Sequence, residues 1–235
     1  MFVLVLTLVL VLNDAKGELF ASAQGPQGGA RLPVVTHTDQ ENAPLRIVST
    51  FVETPSPDRT VVRVMVRNQD NRKIRALALT ANTLVYFYNL TGRASVLQPA
   101  NIKTFDLHYT GERRPEKINV AVDFVEFGDG TTWGPDMSNY KDRLAGEREG
   151  AKAERRRLRE LFGAKGQGAL RDRLEAGEQG DSARPEAAGR TVVWAEGYSS
   201  GVMALRHRVR QALQTGNPDN VRAELAKPYD TSEDN

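Results

Sequence analysis

Acidic residues and glycines surround a tryptophan in FGDGTTWGPD, residues 127–136. Such a segment could hold a metal ion, because calcium-binding loops place acidic side chains and a glycine at fixed positions. Asp129 and Asp136 fall on the fifth and twelfth positions of that loop. Its first and third positions are Val125 and Phe127, which have no side-chain oxygen, whereas calcium requires six to eight oxygen ligands. The segment is therefore not expected to bind calcium.

A tight turn accounts for the same residues. Asp-Gly is a dipeptide that supplies the positive φ angles of short β-hairpins, and here it is Asp129-Gly130. Phe127 and Trp133 would then lie on the strands at either side of the turn. We interpret the segment as a hairpin turn and not as an active site.

Three carboxylates in and before this turn, Asp123, Glu126 and Asp129, offer a different chemistry. Hydrolysis of a polysaccharide needs two carboxylates that face one cleft, a few ångströms apart. Asp123 and Glu126 are separated by an odd number of positions, so a regular strand directs them to opposite faces and only a bulge would bring them together. An envelope polysaccharide hydrolase that uses these carboxylates is therefore the alternative function, and the main interpretation assigns no catalytic residue.

Motifs for metals and nucleotides give no support to other chemistry. The chain has no cysteine, and its histidines, His37, His108 and His207, lack the spacing of metal ligands. It also has no P-loop and no G-x-G-x-x-G segment. We therefore expect no cofactor, no metal site and no enzymatic activity.

A dense basic run, KAERRRLRE, contains Arg155, Arg156, Arg157 and Arg159. Consecutive residues point in different directions on a helix, and glutamates stand at both ends of the run, so we interpret it as a solvated helix face. No aromatic residues interleave with the arginines to stack bases, and nucleic acid is therefore not an expected partner.

Strands are expected to position the acidic segment. In TVVRVMVRN the valines at alternate positions predict a buried face, and Arg63, Met65 and Arg67 form the opposite one. Seven short strand candidates separated by turn signals, with no helical period between them, predict an antiparallel sandwich over residues 45–137. These candidates fall at 45–52, 60–68, 74–79, 85–88, 94–98, 101–109 and 117–127.

The last candidate, KINVAVDFVEF, shows alternation most clearly, with Ile118, Val120, Val122 and Phe124 on one face. Strict alternation places Asn119, Ala121, Asp123, Val125 and Phe127 on the other. Because this second face is also partly apolar, we expect the helix that follows in the sequence to cover it.

A charged helix is predicted at 138–162, where Ala, Glu, Arg, Lys and Leu predominate. Its apolar stripe of Leu144, Ala151 and Leu158 is narrow, which is typical of a helix that lies against the sandwich or stands off it and is not a core element. Residues 163–189 are expected to be a flexible linker with a short helix at 168–176.

A helical hairpin is predicted at 190–228, before a tail at 229–235. Its first helix carries an apolar period and should stop at Gly216. Asn217-Pro218 is a suitable cap and first residue for the second helix.

The amino-terminal residues predict export. The apolar run from Phe2 to Leu12 is shorter than the about 20 residues that span a bilayer, and it is typical of a signal peptide over residues 1–23, followed by a disordered linker at 24–44. Cleavage after Gly17 or after Ala23 fits the small residues there. If the segment is not cleaved, it would tether the protein to a membrane, which is the single case in which we expect a membrane partner.

The composition is consistent with a bacterial envelope protein. A formal net charge of +2, with 26% charged residues, gives no general attraction to nucleic acid or to anionic membranes. An exported chain without cysteine is ordinary in bacteria, whereas small secreted eukaryotic domains depend on disulfides. The sequence therefore predicts a secreted or periplasmic protein.

Two segments resemble known proteins. RTVVRVMVRNQDNRKIRALAL, from Arg59, resembles the strand, turn and strand of bacterial envelope domains of immunoglobulin-like or fibronectin-like type. VDFVEFGDGTTWGPD resembles the closing segment of uncharacterised secreted bacterial proteins that share F-x-D-G-T-x-W-G after such a sandwich. This resemblance covers residues 45–137 and implies a fold, with no activity attached.

The expected protein is mainly β with an α appendage: an immunoglobulin-like antiparallel sandwich, a charged helix and a C-terminal helical hairpin. The predicted function is an exported binding or scaffold module without enzymatic activity, whose partner is an envelope protein or glycan. The candidate partner contacts are Tyr86, Tyr88, Trp133, Arg155, Arg156 and Arg159.

Overall fold

The structure, a computed structural model, describes residues 32–56, 59–90, 97–110, 115–176 and 189–227. The predicted signal peptide, its cleavage sites and the tail lie outside these residues. The described residues form eight strands and three helices: β1 (Val34–His37), β2 (Leu45–Ser56), β3 (Arg59–Asn68), β4 (Ile74–Ala81), β5 (Leu84–Asn89), β6 (Ile102–Thr110), β7 (Lys117–Phe127), β8 (Thr132–Trp133), α1 (Tyr140–Glu175), α2 (Val192–Gln214) and α3 (Pro218–Ala226).

The strands form two sheets that share one apolar core. Sheet A has the order β1-β7-β4-β5, with β8 paired to β7, and sheet B has the order β2-β3-β6. Alternate side chains such as Val64, Leu77 and Val120 point between the sheets and are fully buried. The predicted two-layer β domain with a helical appendage is thus confirmed.

Two tyrosines join the sheets along one side. The Tyr86 and Tyr88 hydroxyls in β5 donate to the backbone carbonyl oxygens of His108 and Asp106 in β6, at 2.9 and 3.1 Å. The Tyr88 bond is partly buried, and the Tyr86 bond lies at the surface. The edge strands of the two sheets are therefore connected through side chains.

Strand β1 corrects the prediction of a disordered linker at 24–44. Val34 to His37 pairs in parallel with Lys117 to Val120 of β7, and Val35 packs against the core. The run is only four residues long, and its partner lies about eighty residues further along the chain. A local sequence pattern cannot predict such a distant pairing.

The candidate strand at 94–98 is also not described, apart from an isolated bridge between Leu97 and Ile74.

A β-bulge corrects the predicted faces of β7. Leu79 pairs with Val122 and Ala78 pairs with Phe124, so Asp123 is an extra residue in β7. The bulge reverses the alternation beyond it, because one inserted residue exchanges the two faces. Phe124 consequently points outward, while Val125 and Phe127 enter the core against the prediction.

Helix α1 covers the outer face of sheet A, as expected for the helix after β7. Tyr140 and Leu144 are buried against Ala76, Ala78 and Phe124. Burial of Leu144, Ala151 and Leu158 confirms the predicted apolar stripe.

The helix is longer than predicted. It runs through nearly half of the expected linker to Glu175, with a break at Gly166, whose φ of 77° is not helical. Leu170 and Leu174 beyond the break are buried in a second core, so the short helix expected at 168–176 exists but is attached to α1.

Helices α1 and α2 run parallel at very close approach. Gly146 and Gly150 of α1 face Gly197 and Gly201 of α2, and a Cβ atom at Gly201 would lie 1.9 Å from the carbonyl oxygen of Glu147. Only glycine allows two backbones to come this close. The sequence prediction did not anticipate this contact.

The residues that were predicted to end the first helix of the hairpin and to begin the second do so in the structure. Helix α2 ends at Gln214 before Gly216, which has a φ of 70°. The Asn217 side chain accepts a hydrogen bond from the Asp219 N–H, and Pro218 is the first residue of α3. Leu205, Val209 and the α3 residue Val221 belong to the second core.

Candidate functional site

The segment 127–136 forms the predicted hairpin between β7 and β8. Phe127 and Trp133 lie on its two strands, as expected. Of the Asp129-Gly130 pair, only Gly130 takes a positive φ, 86°, which corrects the expectation that Asp129 shares it. The Asp129 carboxylate instead accepts hydrogen bonds from the Thr131 N–H and hydroxyl, and these bonds lower its pKa. Asp129 is therefore a turn residue.

Asp123 and Asp136 connect the hairpin to the start of α1. The bulge residue Asp123 accepts hydrogen bonds from the backbone N–H groups of Met137 and Ser138, at 3.0 and 3.1 Å. Asp136 accepts from the Tyr140 N–H at 2.6 Å, which satisfies a donor at the helix N-terminus. Burial raises the pKa of the Asp136 carboxyl, and its backbone hydrogen bonds oppose that shift.

Glu126 is the centre of a buried ion network that we call the covered triad. Its carboxylate accepts from Arg75 at 2.7 Å and from both terminal nitrogens of Arg148, at 3.0 and 2.6 Å. Arg148 belongs to α1, so the network ties the helix to sheet A. Asp123, Glu126 and Asp129 thus have separate structural partners, and no contact between them builds a two-carboxylate cleft within the described residues.

The histidines, which could bind a metal ion or take part in catalysis, are dispersed among the described residues. His37 lies 3.6 Å from Asp39, His108 contacts Arg59 and His207 contacts Gln211. No group of three acidic or histidine side chains is arranged to hold a metal ion in the described part of the chain.

The sequence also contains G-x-S-x-G at residues 197–201, a nucleophile-elbow pattern that was not among the predicted motifs. An elbow requires a sharp strand-to-helix turn, whereas these residues lie within α2. The Ser199 hydroxyl donates to the carbonyl oxygen of Ala195 one turn earlier. Gly197 and Gly201 serve the contact with α1, so the pattern reflects helix packing.

Most of the aromatic residues that were predicted to contact a partner make contacts within the protein instead. Tyr86 and Tyr88 are half-buried and join the sheets, and burial raises the pKa of Tyr86 to about 12. Trp133 packs against the core from β8. These positions offer a partner less surface than the sequence suggested.

The predicted basic contacts differ from one another. Arg155 is buried, which corrects its assignment to a solvated face. Arg159 donates to the carbonyl oxygen of Leu225 at the end of α3. Arg156 is exposed, as expected.

The outward side chains of β2, β3 and β6 form an uncovered surface, which we call the sheet B face. Its cross-strand rows place Phe51 and Asp106 beside Arg63, Ser49 and Thr104 beside Met65, and Arg46 and Ile102 beside Arg67. Phe51 is 67% exposed and Ile102 is 51% exposed. No helix or strand in the described ranges packs on it, in contrast to the outer face of sheet A.

A groove adjoins this face along β6. It is shallow and open to solvent, with a volume of about 800 Å³, and Phe51, Arg63 and Met65 line it together with Tyr88 and Phe105. Apolar side chains beside a few polar groups are characteristic of binding grooves.

Charges on the sheet B face are unequally satisfied. Arg63 donates to Glu53 at 2.9 Å and to Asp106 at 3.2 Å, an arrangement that we call the exposed triad. Arg46 and Arg67 oppose each other across β2 and β3. Neither has a carboxylate within ion-pair distance in the described part of the chain.

Part of the sheet B face was predictable from the sequence. The alternation in TVVRVMVRN predicted that Arg63, Met65 and Arg67 share a face. It did not predict that Phe51 and Arg46 lie beside them, because cross-strand neighbours depend on register and on the bulge at Val48.

Comparison of the chain with protein-family models, curated proteins and solved structures found no match. Within the described residues, no helix combines the length and the apolar character needed to cross a bilayer.

Proposed function

We propose that this protein is an exported binding or scaffold module of the bacterial envelope, without enzymatic activity, and that the sheet B face binds its partner. The partner in this proposal is an envelope protein, and an envelope glycan is the alternative. No catalytic residue, metal or cofactor is assigned.

The unequal covering of the two sheets carries the proposal. Sheet A packs α1 against small and aromatic residues of its outer face, and sheet B leaves Phe51, Met65 and Ile102 exposed among arginines. Exposed apolar side chains that cluster on one surface are typical of interaction sites. Aromatic residues, Met and Arg are also enriched in protein interfaces.

We also propose that the sandwich is immunoglobulin-like, and the strand order supports this. Strands β2, β3 and β6 would take the places of A, B and E in that fold. Strands β5, β4, β7 and β8 would take those of C′, C, F and G, with β1 beside β7. Such sandwiches commonly serve as rigid frames in cell-surface proteins, although fold alone does not assign a function.

Photo-crosslinking at single positions tests the binding surface. A photoreactive phenylalanine analogue replaces Phe51 or Ile102 on the sheet B face, and Val192 at the start of α2 is the matched exposed control. We expect one adduct of the same mass from Phe51 and Ile102 in intact cells and none from Val192. An adduct from Val192 alone, or equal adducts from all three, would contradict the proposal.

Export is tested separately. Fractionation of cells that express the full chain should place it outside the cytoplasm, and N-terminal sequencing should begin after Gly17 or Ala23. Retention of Met1 on a membrane-bound protein would support the tethered alternative, and a cytoplasmic protein would refute export.

A further inference from the structure

We infer that Arg46 and Arg67 form a binding site for an acidic, extended segment of the partner protein. This inference rests on the proposed function, because both arginines lie on the sheet B face. It adds the chemistry of the partner, which the apolar residues alone do not define.

The two arginines are a cross-strand pair of like charge. They are directly opposite in the antiparallel register of β2 and β3. Opposed side chains have Cβ atoms about 4.5–5.5 Å apart, and like charges at that distance destabilise the pair. The repulsion between the two positive charges thus destabilises the isolated domain, and an anionic partner would relieve it.

Other arginines of the same face are already engaged. Arg63 binds Glu53 and Asp106, and Arg59 contacts the Nδ1 atom of His108 at 3.3 Å. The contact with His108 does not neutralise Arg59, because an imidazole is not an anion. Arg46 and Arg67 are instead distinguished by lying directly opposite each other with no carboxylate at ion-pair distance among the described residues.

Guanidinium groups are suited to carboxylates. Each presents a planar fork of N–H donors that binds a carboxylate through two parallel hydrogen bonds. Successive side chains on one side of an extended chain lie about 6.6 Å apart. Two acidic residues at alternate positions of such a segment would therefore meet the two arginines.

Residues around the pair favour a polypeptide as the source of the carboxylates. Ile102 is opposite Arg67, and Val48 and Met65 lie one row away, so apolar side chains that follow the acids on the same side of the segment would find apolar contacts. Recruitment to an anionic membrane takes clusters of about four to eight basic residues. Phe51 is the single exposed aromatic residue on the described face, which offers little stacking surface to a glycan.

A direct binding experiment tests the inference with the full chain. The probe is a fluorescein-labelled peptide of about 12 residues in which Glu alternates with Val, and its control is the same peptide with Lys in place of Glu. Fluorescence anisotropy should show binding of the Glu peptide alone, with an affinity that decreases as salt increases. Arg67→Glu should weaken binding by about tenfold or more, since it removes a charge-assisted bidentate contact and adds repulsion.

Arg171→Glu is the matched control, because Arg171 is an exposed arginine of α1 that is neither part of the sheet B face nor a predicted partner contact. It should bind the peptide as the parent protein does. Equal weakening by Arg171→Glu and Arg67→Glu, or no weakening by Arg67→Glu, would overturn the inference. Preferential binding to vesicles of phosphatidylglycerol would overturn it in favour of a membrane.

A further variant separates this inference from the proposed function. If Phe51→Ser abolishes peptide binding and Arg67→Glu does not, the sheet B face remains the binding surface and the arginine pair is refuted. If Arg67→Glu abolishes peptide binding but Phe51 and Ile102 give no crosslinks in cells, the proposed function fails and the anion site remains.

Discussion

Each sheet carries a charged triad on its outer face, and the two triads are opposite in environment. The covered triad surrounds Glu126, whose side chain is 6% exposed, with Arg75 and Arg148. The exposed triad surrounds Arg63, whose side chain is 46% exposed, with Glu53 and Asp106. Similar chemistry is thus placed in a helix–sheet contact and on an open surface.

The difference concerns what each charge requires. A charge removed from water must be compensated within the protein, and Arg148 of α1 completes that compensation for sheet A. A charge in water needs no partner, so sheet B can retain Arg46 and Arg67 unmatched among its described residues. The charge of Glu126 on the outer face of sheet A is compensated within the chain and stabilises the fold. The charges of Arg46 and Arg67 on the sheet B face are the ones that a partner could compensate.

The largest expected effect is on the covered triad. Glu126→Gln removes the carboxylate from the buried Arg75 and from Arg148, whose side chain is 25% exposed. We expect the free energy of unfolding to fall by about 3–5 kcal/mol. Glu53→Gln in the exposed triad should lower it by about 0–1 kcal/mol. Urea denaturation of both variants measures the contrast, and equal losses would mean that covering does not distinguish the two triads.

The next effect concerns the helix that covers sheet A. Gly201→Ala places a methyl group where the Glu147 carbonyl oxygen lies, and we expect a loss of about 1–3 kcal/mol from overpacking. Gly163→Ala is the matched control, because nothing lies within 4 Å of its added Cβ and alanine favours the helix. Thermal unfolding followed by circular dichroism should therefore rank Gly163→Ala above the parent protein and Gly201→Ala below it.

A smaller effect is expected from alkaline pH at the connection between the sheets. Burial raises the pKa of Tyr86 to about 12 in the folded protein, while an unfolded tyrosine titrates near its ordinary value of 10.0. Below that ordinary value both states keep the proton and the effect is zero. As pH rises from there toward 12 the unfolded state ionises first, so stability decreases.

Denaturation at several pH values measures this decline. In Tyr86→Phe the dependence on pH should be shallower, because one of the raised phenols is absent. An identical decline in the variant would show that Tyr86 does not contribute.

The smallest effect is on the stability of the uncovered face. Arg67→Glu replaces a like-charge pair with an opposite-charge pair, and we expect the free energy of unfolding to rise by about 0.2–1 kcal/mol. Chemical denaturation measures it, with Arg156→Glu as the reference for an unpaired surface position. A marked loss of stability would show that Arg67 has a structural role and would weaken the contrast between the faces.

Much of the fold was predictable because it depends on local patterns. Alternation gave β3 and β6, Asp129-Gly130 gave the hairpin, and Asn217-Pro218 gave the start of α3. Each of these signals lies within a few residues of the structure that it forms.

The remaining features depend on partners distant in the sequence. Pairing of β1 with β7, the bulge at Asp123 and the burial of Arg155 all arise from contacts between elements. The glycines at 163, 166 and 168 suggested a linker, yet Leu170 and Leu174 anchor the chain to the second core. The sheet B face was half predictable, since one strand gave its own outward residues but register supplied their neighbours.

The parallel contact between α1 and α2 has a consequence for the order of assembly in time. Arg143 and Glu196 are 53 residues apart, and Glu154 and Arg206 are 52 residues apart. An antiparallel hairpin begins at its turn and adds contacts of increasing separation, whereas the contacts that α1 makes with α2 before its break at Gly166 close loops of similar length. Most of the loop entropy is therefore lost when the first of these contacts forms. Docking of α2 on α1 should consequently be a late, cooperative event in folding.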